Sequence, residues 1–316
     1  MLEDLKLSDT YDGFLFLAEA ARNPPLLRSH HHIELEVNLV VRGTITYVVN
    51  GKRFTFPQRS LIWMFPAQEH QLVDRSDDAQ YFVAVFKPGL IADTCRSPEY
   101  QDLKRESVET EGLLDSVLDP GPFDLIRQLM ESMMEGSLDA DILNREAGFG
   151  VKSDFSFRHR DPDALNAGLR HLLLASWRSY RAGQATINTS VPLHPAVRKA
   201  LQVLSSGEGS QDIKNLLSHC GVSESYLSRI FHRQIGVPLV RYRNSIRLGK
   251  FWDCYRQPEQ KTILECVYAA GFGSYAQFYK VFCQAYGQGP RECLKRGNSD
   301  LLPDRQKAEN LRPSKA

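Results

Sequence analysis

The chain has 316 residues, 42% of them hydrophobic and 24% charged, with a net charge of +1. This is globular composition, long enough for two cores. The acidic start MLEDLKLSDT and the absence of any ~20-residue apolar run argue against the secreted and membrane readings, so no membrane partner is expected. Six cysteines without a C-x-x-C pair argue against thiolate zinc and a disulfide framework, and so for a cytoplasmic location. The small net charge conceals a division: residues 1–193 balance at −8, 194–297 at +8 and 298–316 at +1. An acidic front and a basic rear predict two domains, the rear one suited to a polyanion.

From about residue 26 to 87 the apolar period is near two. Strands are expected at Glu36-to-Val41, Thr44-to-Asn50, Phe54-to-Phe56, Leu61-to-Phe65 and Tyr81-to-Phe86, with Asn50-Gly51 as a two-residue hairpin turn. Such short, closely spaced strands predict a small antiparallel barrel or sandwich over 1–90. His30, His32 and Glu36 share parity on one extended segment, and His70 opens another, whereas His31 and Glu34 should face out. Tyr47 and Trp63, with Phe65 and Tyr81, are candidate walls of a pocket for a sugar-like molecule. No Ser-His-Asp order, phosphate loop or interpretable carboxylate pair appears, so no catalytic residue and no enzyme is expected.

After Pro88 the pattern turns helical. Over 91–185, Phe123, Ile126, Met130 and Met133 form one stripe; Leu165, Leu169, Leu172, Leu173, Ser176 and Tyr180 form another, with Trp177 beside them. These helices are expected to support the barrel, and they are the candidate seam of a homodimer. Residues 186–193 read as a linker and the polar tail 298–316 as disordered.

The basic half repeats itself. Ser223, Phe231 and Gly236 recur at the same spacing as Ser274, Phe282 and Gly287, with Leu227 matching Phe278 and Arg229 matching Lys280. Each copy is an apolar helix, a glycine (Gly221, Gly271), then a serine-capped second helix, which is a helix-turn-helix. Ser274-x-x-Gln277 also fits a capping box. In the first second helix Tyr226, Leu227, Ile230 and Phe231 should face inward, leaving Ser225, Ser228, Arg229, His232 and Arg233 outward. In the other, Phe278, Val281, Phe282 and Ala285 should face in, and Tyr275, Ala276, Tyr279, Lys280 and Cys283 out. Neither set of outward positions carries a carboxylate, as suits an approach to phosphates. Between the copies, Leu239 to Gln257 reads as one helix, with Arg241, Arg243, Arg247 and Lys250 on a basic side. Its length suits two reading helices in successive major grooves of double-stranded DNA.

Ala270-Gly-Phe-Gly-Ser-Tyr-Ala-Gln-Phe-Tyr-Lys-Val-Phe, followed by Gly287 and Pro290, resembles the AraC/XylS family of bacterial transcription regulators. Arg247-Leu248, Gly221-Val222-Ser223, Tyr226-Leu227 and Phe231 match the family's first half. The resemblance implies that outward residues of both second helices read bases: Ser225, Ser228 and Arg229, then Tyr275, Ala276, Tyr279 and Lys280. Phe251 and Cys293 depart from it, standing where a small residue and an aromatic are usual. The front arrangement H-x-H-x-x-x-E, Gly43, then P-x-x-x-H resembles the cupin barrel. That resemblance implies His30, His32, Glu36 and His70 as ligands of a divalent transition metal; the same residues serve equally as hydrogen-bonding groups of an organic effector pocket. The resulting expectation is a two-domain regulator, an all-β cupin-like barrel followed by helices and then an all-α double helix-turn-helix. Its alternative is a cupin metalloenzyme or a metal sensor fused to a DNA-binding module.

Overall fold

The computed structural model describes residues 5, 7–19, 30–66, 68–106, 113–137, 158–183, 191–206, 213–255, 261–286 and 289–291. The expected tail 298–316, most of the expected linker and Gly287 lie outside them.

Two antiparallel sheets make the front domain. One orders β1 (Gly13–Glu19), β7 (Gln80–Phe86), β2 (Leu35–Arg42), β5 (Ser60–Met64) and β8 (Leu114–Val117). The other orders β6 (His70–Arg75), β3 (Thr44–Val49), β4 (Lys52–Pro57) and β9 (Val191–Pro192). Alternation along each strand sends one set of side chains between the sheets. Glu36 pairs with Met64 and Val85, Tyr47 with Phe54 and Leu72, and Val49 with His70, so these residues share the interior. At the β3–β4 turn Asn50 and Gly51 both hold positive φ, 47° and 74°, the backbone that a tight two-residue hairpin requires.

The barrel does not end at residue 90. After α1 (Pro88–Thr94) and a 3-10 helix (Pro98–Lys104), the chain returns as β8 to close the edge of β5. Four residues, Leu-Asp-Ser-Val, are too short to register as alternation. The expected linker likewise supplies β9, where Val191 and Pro192 pair with Arg53 and Lys52 of β4.

Different material covers each outer face. Against the five-stranded sheet lies α3 (Pro162–Ala182), antiparallel partner to α2 (Pro120–Met134), with Phe123, Ile126, Met130, Leu165, Leu169, Leu172 and Leu173 buried. Against the four-stranded sheet lies the rear domain: Val48 and Val73 join one apolar core with residues of α4 (Pro195–Ser206), α5 (Ile213–Cys220), α6 (Glu224–Ile235) and α7 (Leu239–Tyr255). Strand β6 is therefore shared. His70 and Leu72 point into the barrel, while Val73 packs on the rear domain and Gln71 Nε2 donates to the Tyr242 hydroxyl of α7.

A third core joins α7 to α8 (Ile263–Ala269) and α9 (Tyr275–Tyr286). Phe251 lies at its centre, 4.5 Å from Phe278 and 6.0 Å from Phe282 between ring centroids. Cys254 and Cys266, which their spacing in the sequence does not pair, bring their sulfurs together across α7 and α8. Two residues assigned to the basic side of α7 are instead largely buried: Arg243 is 9% and Arg247 8% exposed. Arg247 places its guanidinium 5.8 Å from the Phe272 ring centroid, so its flat cation serves as packing material.

Candidate nucleic-acid interface and effector site

Each helix-turn-helix is built from local chemistry. Gly221 and Gly271 take φ of 65° and 85° between their helices, a turn that a β-carbon would strain. Ser223 then accepts from the Tyr226 amide at 3.4 Å, and Ser274 from the Gln277 amide at 3.2 Å. The Gln277 side chain accepts from Gly273 N at 3.0 Å rather than from the Ser274 amide, so only half of the expected capping box forms there. A complete box occurs at Thr262 and Glu265 of α8, which the repeat pattern did not draw attention to.

On α6, Ser225, Ser228, Arg229, His232 and Arg233 gather along one open cleft of about 600 Å³, with Pro238, Leu239 and Val240 opposite. Tyr226 is not inward. It is 36% exposed and stands beside His194, with the Arg229 guanidinium 5.6 Å over its ring. Leu227 in the same turn is fully buried, so the core takes that residue and leaves the Tyr226 ring at its edge. The contact props Arg229 outward with its planar donors exposed. On α9, Ala276, Tyr279 and Lys280 are exposed and Tyr275 is partly covered by Phe278. Ala285, expected inward, is exposed as well. Between the units, the 17 residues of α7 span about 26 Å.

The barrel interior holds a second cluster. His30 and His70 exchange backbone hydrogen bonds of 3.1 and 2.9 Å, which brings their rings to 4.3 Å between centroids. His32 places Nδ1 3.0 Å from the Glu34 carbonyl oxygen and Nε2 3.2 Å from Glu36 Oε2. Asn38 donates to the other carboxylate oxygen of Glu36 at 2.7 Å. Burial alone would raise the Glu36 carboxyl, but the His32 hydrogen bond, the nearby His70 and His32 charges and the Asn38 amide hold it at about 2. Burial draws His70 below the ordinary histidine value, with Glu36 opposing. Tyr47 lines the same space, 6.4 Å from the His70 ring, and Tyr81 and Arg75 face it; burial raises both phenols and lowers the Arg75 guanidinium.

Trp63 does not belong to this set. It pairs with Val37 on β2, one residue out of phase with Glu36, and so points through the sheet's other face. There it meets Trp177 edge-on at 5.2 Å and Tyr180 at 6.4 Å. Glu34, expected outside, is buried beside His32 because the chain turns just before β2 begins. Of the interior residues missed by sequence reasoning, Asn38 shares the parity of Glu36 on β2, whereas Arg75 is odd to His70 on β6 and faces inward only because the register with β3 shifts between Thr46 and Tyr47, an irregularity that simple alternation does not show.

Residues 216–296 match a family model described as a helix-turn-helix domain, and residues 16–150 match an AraC-like ligand binding domain. The melibiose operon regulatory protein of Escherichia coli strain K12 is 22% identical over 280 residues, covering 84% of this chain and 83% of that protein. Among solved structures, ToxT from Vibrio cholerae O395, bound to (E)-4-(8-methylnaphthalen-1-yl)but-3-enoic acid, is 14% identical. It covers 90% of this chain and 98% of its own, with a TM-score of 0.34. The AraC-like transcriptional activator CuxR is 14% identical with 83% of each chain covered and a TM-score of 0.31.

Proposed function

The chain belongs to the AraC family of transcription regulators, and from that premise we propose a sequence-specific DNA-binding regulator whose barrel receives a small, polar, sugar-like effector. The observation that carries the DNA reading is the α6 cleft, where five outward residues named from helical spacing line one surface free of carboxylates. A helix of about 26 Å between the two units suits reading helices that enter successive major grooves about 34 Å apart on one face of the duplex. Arg229 is the residue suited to a bidentate guanine contact, and Tyr275 and Tyr279 are suited to thymine methyls.

The effector reading rests on a barrel interior lined by hydrogen-bonding groups, namely His30, His32, Glu36, Asn38, Tyr47 and His70. The relative named for a melibiose operon supports a sugar-like ligand. We read the barrel as a receptor rather than a catalyst, in a cytoplasmic protein that acts as a homodimer. No helix among the described residues is long and apolar enough to cross a membrane, and Leu125 of α2 is exposed on the segment assigned to pairing.

The test is selection of bound sequences from a random duplex library. Enrichment of a motif with two recognition elements one helical turn apart is the expected result. Retention that follows only ionic strength, with no motif enriched, would overturn sequence-specific reading.

A further inference from the structure

The imidazoles inside the barrel converge more closely than a lining requires. His30, His32 and His70 each present a ring nitrogen, and the three lie within 4.8 Å of one another. Glu36 Oε2 stands 3.2 Å from His32 Nε2 and 3.8 Å from His70 Nε2. Donors held at ~2.0–2.1 Å around a tetrahedral ion are about 3.3 Å apart, so this carboxylate already sits near the required spacing from both rings.

The hydrogen bonds also point to a ligand. His70 Nδ1 donates to the Gln68 carbonyl at 2.9 Å, which leaves the Nε2 lone pair directed into the cluster. That Nε2 is buried and has no hydrogen-bond partner. A buried polar nitrogen left so costs free energy, and a bound cation would remove the cost. His32 Nδ1 is likewise set against a backbone carbonyl, Glu34 O. Anchoring of the far ring nitrogen is how ligating imidazoles are oriented. The spacing of the donors, the unpartnered His70 Nε2 and the imidazole–carboxylate donor set all suit a cation.

We propose that His30, His32, His70 and Glu36 hold a divalent transition metal ion inside the barrel, of the kind that imidazole and carboxylate together suit. The proposal deepens the effector-site reading above and rests on it only for the barrel's role as receptor. When bound, such an ion supplies a Lewis-acid position for an oxygen of the sensed molecule. The residues themselves fix the site: β2 carries Glu36, the segment before it carries His30 and His32, and β6 carries His70, whose backbone pairs with that of His30.

Untagged full-length protein, purified without chelator, is taken through elemental analysis, then stripped and titrated with Zn(II) by calorimetry. The expected result is about one equivalent of bound metal per chain, since the four donors form one site. His70→Asn and Glu36→Gln are each expected to weaken Zn(II) binding at least about tenfold. His171→Ala, exposed on α3, is expected to leave it unchanged. No metal as purified together with no Zn(II) uptake by the stripped wild-type chain overturns the proposal. So does a folded His70→Asn that binds as tightly as wild type. If that variant fails to fold, the wild-type titration and Glu36→Gln still decide. The same wild-type preparation goes into the DNA selection, so metal loss with a motif retained refutes the ion alone, and the converse refutes DNA reading alone.

Discussion

Arg229 and Lys280 occupy matching positions of the two units, yet their chemistry assigns them different work. The Arg229 fork, supported by the Tyr226 ring, can present two parallel donors to a guanine edge. We expect Arg229→Ala to cost about 1–3 kcal/mol on the selected motif and to relax preference at one base position. Competition binding against single-base variants measures it, and an unchanged preference profile would remove Arg229 from base reading. Lys280 is a point charge on an exposed face. Lys280→Ala should instead weaken binding to all sequences alike and lower the slope of log affinity against log salt by about 1. Both residues were legible from spacing, because a helical face is periodic and these helices have one buried side. Trp63 shows where such reading stops. Its type suited a sugar pocket, but a strand's two faces alternate, and only the register with Glu36 reveals that the indole points away.

At the scale of elements, the second unit depends on its caps and its turn. Thr262 and Glu265 satisfy each other's backbone amides at the start of α8, at 2.7 and 3.2 Å. Thr262→Ala should cost about 1 kcal/mol, read as a lower urea midpoint at unchanged slope. Gly271→Ala places a β-carbon at φ 85° and should cost about 1–2 kcal/mol by the same measurement; no loss would mean that the turn relaxes. The serine caps Ser223 and Ser274 and the turn glycines were visible in the sequence because their chemistry is local, whereas the Thr262–Glu265 box lay outside the repeat and was missed. The edge strands β8 and β9 were not. They are short, and what makes them strands is the unpaired edge of β5 or β4 waiting beside them. β1, with the apolar run Gly-Phe-Leu-Phe-Leu-Ala-Glu, had the opposite difficulty: it lies ahead of the alternating region and shows no clean period, since its neighbours bury both faces.

For the whole molecule the decisive seam is the four-stranded sheet against the rear domain. Val48 and Val73 contribute to a core otherwise built by the DNA-binding half, and the Gln71–Tyr242 hydrogen bond crosses the boundary. Charge division along the chain announced two domains, but nothing local could announce that one strand serves both. Tyr242→Phe keeps the ring and deletes the crossing bond, so it should lower stability by about 0.5–1.5 kcal/mol. Calorimetry of the full chain reads the loss, and an unchanged transition would mean that apolar contact alone holds the seam. Because β6 turns His70 toward the interior and Gln71 toward α7, any displacement of that strand is felt on both sides at once. Free-energy linkage then runs in both directions: a barrel ligand that changes the affinity for DNA by some factor must find its own affinity changed by that factor when DNA is bound. For a barrel ligand coupled in this way, the operator is itself an effector.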